Sequence, residues 1–389
     1  MIDSVAINGT QVAEPVAEVA KPLGSGTNAI NELLLSVRPD FVPDWAVSLT
    51  TALLAFLVAI LVVSVCALIG TWGERKVSGH IQCRYGPMRV GWHGVLQPIA
   101  DGVKLLLKED LTPLGADAVL FKFAPALVLG ALMGAMAVFP LSPGFFFADL
   151  DLGVFIIIAL TSLTTIGVLM AGWSSNSKWS LYGAMREAAQ VVAYEIPLGV
   201  SLLVPLMVAG TFNLIEASAG QSGGLGIFNW YIWPWVNPFM LPAFVLFFIA
   251  VLAENKRAPF DLPESESELV SGFLTEYSGI RWSFFFMEEY AAMFLLSVVG
   301  AVFFFGGFNS PLTEVLPEGT FLWQAACAAT LIAKGAFGVF FMMWIRWTLP
   351  RLRIDQVMTM GYKYLTPLAL LCVLLAAVWE AVAESLWRN

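Results

Sequence analysis

Eight apolar runs, each close to twenty residues, recur along this chain, and no other feature narrows its possible folds so sharply. A helix rises about 1.5 Å per residue, so crossing about 30 Å of hydrocarbon takes roughly 20 apolar residues. The runs lie at 45–71, 121–141, 152–172, 188–210, 238–253, 283–307, 321–347 and 365–382, the fifth being short. The expected fold is an all-α integral membrane protein with eight transmembrane helices and additional cytoplasmic amphipathic helices. Composition agrees. Of 389 residues 58% are apolar and 13% charged, about half the roughly 25% charged residues of a soluble domain. Most of that apolar surface must face lipid, which excludes an ordinary soluble enzyme.

Lysine and arginine give the orientation, because basic residues are retained on the cytoplasmic side. Sixteen of the 20 fall between spans one and two, three and four, five and six, or seven and eight, counting Lys122 and Arg346 at the span edges. The alternate loops, 142–151, 211–237 and 308–320, carry none. An even span count with this alternation places both termini outside the cytoplasm. Residues 1–44, rich in Ala, Val, Glu, Pro and Gly, read as a flexible extracytoplasmic extension without the basic start of a signal peptide, ahead of an eight-helix domain at 45–389. Six acids and two bases in the first 45 residues supply much of the net charge of −9. Cys66, Cys83, Cys327 and Cys372 form no CxxC pair and there are only two histidines, so no metal or Fe–S site is expected.

Three polar features do not fit a lipid-facing surface. The segment 92–109 has Trp92, Val95, Leu96, Ile99, Val103, Leu106 and Leu107 at helical spacing, with Gln97, Asp101, Lys104 and Lys108 elsewhere. It predicts an amphipathic helix bent at Pro98, lying either on the membrane surface or against a partner. The second, 253–269, holds Asp261, Glu264, Glu266 and Glu268, and the Asp261/Glu264 spacing fits an N-cap and capping box. A solvated acidic loop is one reading. Phe260, Leu262, Leu269, Val270 and Phe273 argue for the other, an enclosed segment in which neighbouring carboxylates repel, lose solvation and share protons. The third is a set of ionisable residues inside spans: Glu195, Glu288, Glu289, Lys334, Glu380 and Glu384. Each costs about 2.5 kcal/mol or more at mid-bilayer. Glu380 and Glu384 lie near a span end and can snorkel, whereas Glu195 and Lys334 are deeper and point to a proton or electrostatic role.

Several stretches carry a family resemblance: Glu74-Arg75-Lys76, 82–87 and 94–104; Ser175 to Lys178, 186–190 and Tyr194-Glu195; 253–268 with Ser271-Gly272-Phe273 and Glu276-Tyr277; and Lys334 with Arg346, Pro350, Arg351, Arg353 and Asp355. Over about residues 45–385 the chain resembles the heel subunit of respiratory complex I, the membrane-arm chain that meets the quinone-reducing peripheral arm. Met88, Trp92, Lys256, Ser265, Leu274, Glu288 and Tyr362 depart from that pattern. The resemblance implies a multi-pass protein of a bacterial inner membrane, part of a proton-translocating NADH:quinone oxidoreductase. It implies a tunnel for a quinone substrate, ubiquinone or menaquinone, with Arg75, Arg84, Phe286 and Phe273 near it. It also implies an acidic path of Glu195, Asp261, Glu264, Glu266, Glu268, Glu276 and Glu289, to which Asp101 and Lys334 are added as coupling candidates. Its partners would be the peripheral quinone-module and Fe–S subunits, small membrane subunits beside the antiporter-like chains, and lipids, without nucleic acid. With no Rossmann fingerprint and no Cys cluster, NADH, flavin and Fe–S chemistry belong to those partners. Two other readings stay open: the equivalent subunit of a membrane-bound hydrogenase or of a ferredoxin- or deazaflavin-fed reductase, and a secondary ion transporter, which the lack of an inverted repeat opposes.

Overall fold

A computed structural model describes residues 44–146, 148–223, 226–263 and 266–387. The N-terminal extension and Glu264 therefore lie outside the described residues. In chain order the helices are α1 (Asp44–Ile81), α2 (Gln97–Leu107), α3 (Ala118–Ala137), α4 (Gly153–Ser174), α5 (Lys178–Ala209), α6 (Leu214–Ala219) and α7 (Met240–Glu254). They continue as α8 (Glu266–Leu269), α9 (Gly279–Phe304), α10 (Pro311–Val315), α11 (Phe321–Thr348), α12 (Ile354–Thr359) and, after a π-helical turn at Met360–Leu365, α13 (Thr366–Trp387). All eight expected spans are helical. Among the described residues seven helices are long and apolar enough to cross a membrane, and the fifth span, α7, is a shorter apolar helix of 15 residues.

At about 1.5 Å per residue α7 covers about 22 Å, short of the hydrocarbon thickness. Its flanks make up the difference with backbone covered by protein, as non-helical chain at membrane depth must be. Before it, Asn237 is fully buried and donates to Glu380 Oε1 on α13 (2.9 Å). After it, residues 257–263 are buried between helices.

Helix α9 is the centre of the bundle and the most deeply buried of the long apolar helices; it packs on α1, α3, α7 and α11. The outermost of them are α1 and the α12–α13 rod, which are mostly exposed on their apolar surface. Apolar packing forms one large core around Leu132, Tyr194, Phe247, Met293 and Phe303. A second, small core at one end holds Phe121, Val128, Phe273, Tyr277 and Phe285. Ion pairs join the lysine- and arginine-rich connections, Arg257 to Glu74, Lys256 to Glu187 and Arg351 to Asp261, and so gather them at one end of the bundle, the basic end.

Local expectations at 92–98 and at Val270 need correction. Trp92–Gly94 is a 3-10 turn with His93 in a left-handed conformation (φ 51°), so the amphipathic helix starts only at Gln97. Pro98 then occupies its first turn, where a missing N–H is harmless, and starts the helix instead of bending it. Asp261 pairs with Arg351 at 2.8 Å; residues 264 and 265, on which its expected capping role depends, lie outside the described residues. Val270 is exposed, while Phe260, Leu262, Leu269 and Phe273 are buried as expected.

The segment 255–278, between α7 and α9, presses directly on α5. A Cβ at Gly183 of α5 would sit 2.6 Å from Gly272 Cα, and Gly272 itself has φ +56° with Pro263 O in the space a side chain would need. Gly199, on the same helix, has open space around it. Gly183→Ala is expected to destabilise by about 1–3 kcal/mol through overpacking, and Gly199→Ala to be neutral or stabilising by up to about 1 kcal/mol. Thermal unfolding of the detergent-solubilised protein measures both; equal effects at the two positions would contradict the close contact.

A buried charge network as the candidate functional site

Two successive cations on the 255–278 segment enter the bundle. Arg257, only 2% exposed, places Nη1 3.0 Å from Glu74 Oε2 of α1 and Nε 2.9 Å from Glu289 Oε1 of α9. Its guanidinium lies 4.6 Å over the Tyr290 ring, a cation–π contact that gains strength from desolvation. The Tyr290 hydroxyl donates to Glu74 Oε2, and Arg346 of α11 donates to Glu74 Oε1 at 2.6 Å. Glu74 thus gathers three donors on one carboxylate. Gly70, one turn earlier on α1, leaves the space that the Tyr290 ring fills, since a Cβ there would meet it at 2.4 Å.

Lys256 turns the other way. Its ammonium is 2.5 Å from Glu187 Oε1 of α5 and 3.7 Å from Glu288 Oε2 of α9, and 5.8 Å from the Phe273 ring centroid. Burial disfavours the charge on both loop cations, but the surrounding carboxylates outweigh it and raise both pKa values, Glu187 and Glu288 for Lys256, Glu289 and Glu74 for Arg257. A raised cation pKa supports the folded state fully below the ordinary lysine value and fails only above it, so neither charge titrates near neutral pH.

Further contacts tie the segment and the helices beside it together. Gln190 Nε2 of α5 donates to Ala253 O (2.7 Å), and Tyr194 of the same face donates to Val357 O (2.9 Å). Leu352 N donates to Pro259 O (2.9 Å), beside the Arg351–Asp261 pair at 2.8 Å. Arg186 pairs with Glu268 at 2.5 Å, where the Glu268 side chain is 59% exposed. Tyr277 donates to Phe121 O (3.1 Å), and burial pushes its phenol up to about 12, so it stays a donor.

Glu254, at the end of α7, lies within electrostatic reach of Lys256, Glu187 and Glu288 on one side and Glu195 on the other. Glu195 sits five residues beyond Gln190 on α5, about 7 Å deeper along the axis, and accepts from Ser162 of α4. Glu254 is thus within electrostatic reach of both the carboxylates beside the loop and Glu195.

The other expected site residues are dispersed. Arg75 pairs with Asp101 at 2.5 Å, joining α1 to the amphipathic α2, and α2 also packs on α9. Arg84 is exposed and donates to Gln82 Oε1 (2.8 Å). Phe286 stacks with Trp282 at 4.9 Å against the large core, whereas Phe273 is enclosed in the small one. Glu276 is half-buried. Glu266 begins α8, but its side chain is outside the described set. Lys334 is remote from the network: its ammonium donates to Phe305 O, Gly307 O and Asn309 O at 2.6, 2.9 and 2.7 Å, and lies 4.6 Å over the Trp230 ring. That is a cation at the carbonyl end of α9, where the helix dipole favours it.

Sequence reasoning did not select Glu74, Glu187, Glu254, Lys256, Arg257, Glu288, Tyr290 or Arg346 as site residues. The usable signal was charge balance: a Lys-Arg pair bordering an apolar helix, with acids at 74, 187, 288 and 289 also at span ends.

A family model described as NADH dehydrogenase matches residues 54–377. The chain is 41% identical over 374 residues to the H subunit of the NADH-quinone oxidoreductase of Chlorobium luteolum, covering 94% of this chain and 98% of that one. It is 44% identical over 317 residues to the H subunit of the Chlorobaculum tepidum enzyme (80% and 87% covered), and 42% identical over 338 residues to NADH-quinone oxidoreductase subunit 8 of Rhodothermus marinus (85% and 97%).

Removing one partner of a buried ion pair leaves an uncompensated charge and typically costs about 3–5 kcal/mol. Arg257→Met is expected to destabilise by that order, and Arg351→Met, at a half-exposed guanidinium, by clearly less. Thermal denaturation of the purified protein ranks the two; an Arg257 variant as stable as the wild type would contradict the network.

Proposed function

The chain belongs to the family of the H subunit of NADH-quinone oxidoreductase, and from that premise we propose that it forms the quinone passage of such a complex and couples quinone reduction to proton movement. One observation carries this reading: the 255–278 segment is tied by buried ions to α1, α5 and α9, and Glu254 connects that cluster electrostatically to Glu195 inside the bundle. The other subunits supply electrons, and this chain supplies the cavity wall and the carboxylates. The family assignment gives no support to the hydrogenase or transporter readings.

The amphipathic α2, with Ile99, Val103, Leu106 and Leu107 exposed, lies beside α1 and α9 and provides an apolar ramp from the lipid. Arg75, held by Asp101, and Phe286 stand at the same end and are proposed to border the quinone path, with Arg84 and Phe273 further along it. Reduction of the quinone consumes two electrons and two protons, and its anionic stages add negative charge to a poorly solvated space. Charge added there is felt more strongly than in water. Arg257 and Lys256 are drawn toward it, their hold on Glu74, Glu289, Glu187 and Glu288 weakens, and protons are taken up in that region. The displacement then passes through Glu254 to Glu195. Asp261, Glu264, Glu266, Glu268 and Glu276 would tune the loop's potential. The work transmitted is bounded by how differently the two redox states interact with the loop. Lys334, saturated by three carbonyls, is proposed to hold the far end of α9 while the basic end responds.

The basic end is proposed to face the cytoplasm of a bacterial cell, with both termini outside and the peripheral redox subunits docked over the loop. Cys83, exposed at that end, is then labelled by an impermeant maleimide in inverted vesicles and not in intact cells; the reverse pattern would invert the topology.

Glu195→Gln and Glu268→Gln, introduced into the assembled complex, test the coupling. The expected result is at least about tenfold less quinone-linked proton uptake for Glu195→Gln and a smaller loss for the exposed Glu268, with NADH oxidation by an artificial acceptor unchanged in both. Normal quinone turnover and proton uptake in both variants would refute the role.

A further inference from the structure

Lys256 and Arg257 are neighbours in sequence, yet they serve separate sets of carboxylates. Arg257 satisfies Glu74 and Glu289. The Lys256 ammonium stands between Glu187 of α5 and Glu288 of α9, with side-chain exposures of 9%, 1% and 6%. Helix α9 packs mainly on α3, α11 and α1 and only slightly on α5, so this ammonium is a bridge between two helices that otherwise meet little. Residue 256 holds a left-handed backbone (φ 55°), a conformation that side-chain-bearing residues rarely adopt and that aims its side chain away from that of Arg257.

We infer that Lys256 and Glu288 are a charge-compensating positioning pair which, with Glu187, sets the place and potential of the coupling loop between α5 and α9. The inference rests on the functional reading above and adds to it a named device. One ammonium faces two carboxylates there. Among the described residues the other charged groups around it are Glu289 on α9, Glu254 at the end of α7 and Arg257 beside it, and the Phe273 ring centroid lies 5.8 Å from the ammonium.

The charge count makes the pair testable. Replacing Lys256 by Asn leaves two carboxylates face to face in a poorly solvated site, a repulsion that protonation relieves. Replacing Glu288 by Ala in the same chain removes one of them, restores the original net charge, and leaves the asparagine amide to donate to Glu187. Neither substitution removes a member of the Arg257 set.

The experiment is a double-mutant cycle in the assembled membrane complex: wild type, Lys256→Asn, Glu288→Ala, the double variant, and Lys256→Arg as the conservative control. NADH:quinone turnover is read across pH, and assembly on native gels. Lys256→Asn is expected to lose about tenfold in turnover and to move the alkaline fall of the pH profile to lower pH; the double variant recovers to within about threefold of wild type with the original profile, because coupled pairs are strongly non-additive. Lys256→Arg keeps most of the activity. If Lys256→Asn does not assemble, recovery of assembly in the double variant reads the same coupling and its absence overturns it. Losses that simply multiply, or an unaltered Lys256→Asn profile, also overturn the pair. Failure of the functional reading is seen separately, as quinone turnover and proton uptake that do not depend on Glu195.

Discussion

A buried guanidinium between two carboxylates holds this molecule's basic end together. Arg257 reaches Glu74 on the first span and Glu289 on the sixth while lying over Tyr290, and Arg346 of the seventh closes on the same Glu74. Burying these ions takes several kcal/mol per charge from hydration, which their mutual attraction returns only when the geometry is good and the remaining positions are filled. Such a network adds little net stability over an apolar core. What it contributes is a loop fixed in one place by interactions that respond to a change of charge nearby.

The two ends of α9 show how differently an ionisable group can be used. At the far end Lys334 has every hydrogen committed to backbone carbonyls and an aromatic face beneath it, the arrangement of a clamp. At the basic end, among the described residues, the buried Lys256 and Arg257 meet the buried carboxylates Glu74, Glu187, Glu288 and Glu289, with Arg346 closing on Glu74. An unequal set of this kind can shift protons as well as bind them. In the proposed account the first end stays put and the second moves.

Much of the architecture was readable without coordinates, because apolar run length is a direct consequence of bilayer thickness. The ends of the helices were not. Helix α1 continues ten residues beyond the run at 45–71, and α5 begins ten residues before the run at 188–210. Hydropathy stops where Glu74, Arg75 and Glu187 begin, yet those charges are paired across the bundle and the helices carry on through them. The acidic segment was recognised by the aromatic and aliphatic residues that had to be buried beside it, and Phe260, Leu262 and Phe273 are buried. Its cations were passed over because Lys256 and Arg257 look like the ordinary basic edge of a span; their partners lie up to 183 positions away, a separation no local pattern encodes. Lys334 stood out as a charge inside a span, and only the three carbonyls around it reveal how that charge is satisfied.

Infrared difference spectroscopy of the intact complex, recorded as the bound quinone is reduced, tests the central claim most directly. If the loop's enclosed carboxylates take up or release protons with the redox state of the quinone, a protonated-carboxyl band appears or vanishes on reduction and is altered by Glu289→Gln. A spectrum with no carboxyl change, or one indifferent to that substitution, would contradict the account.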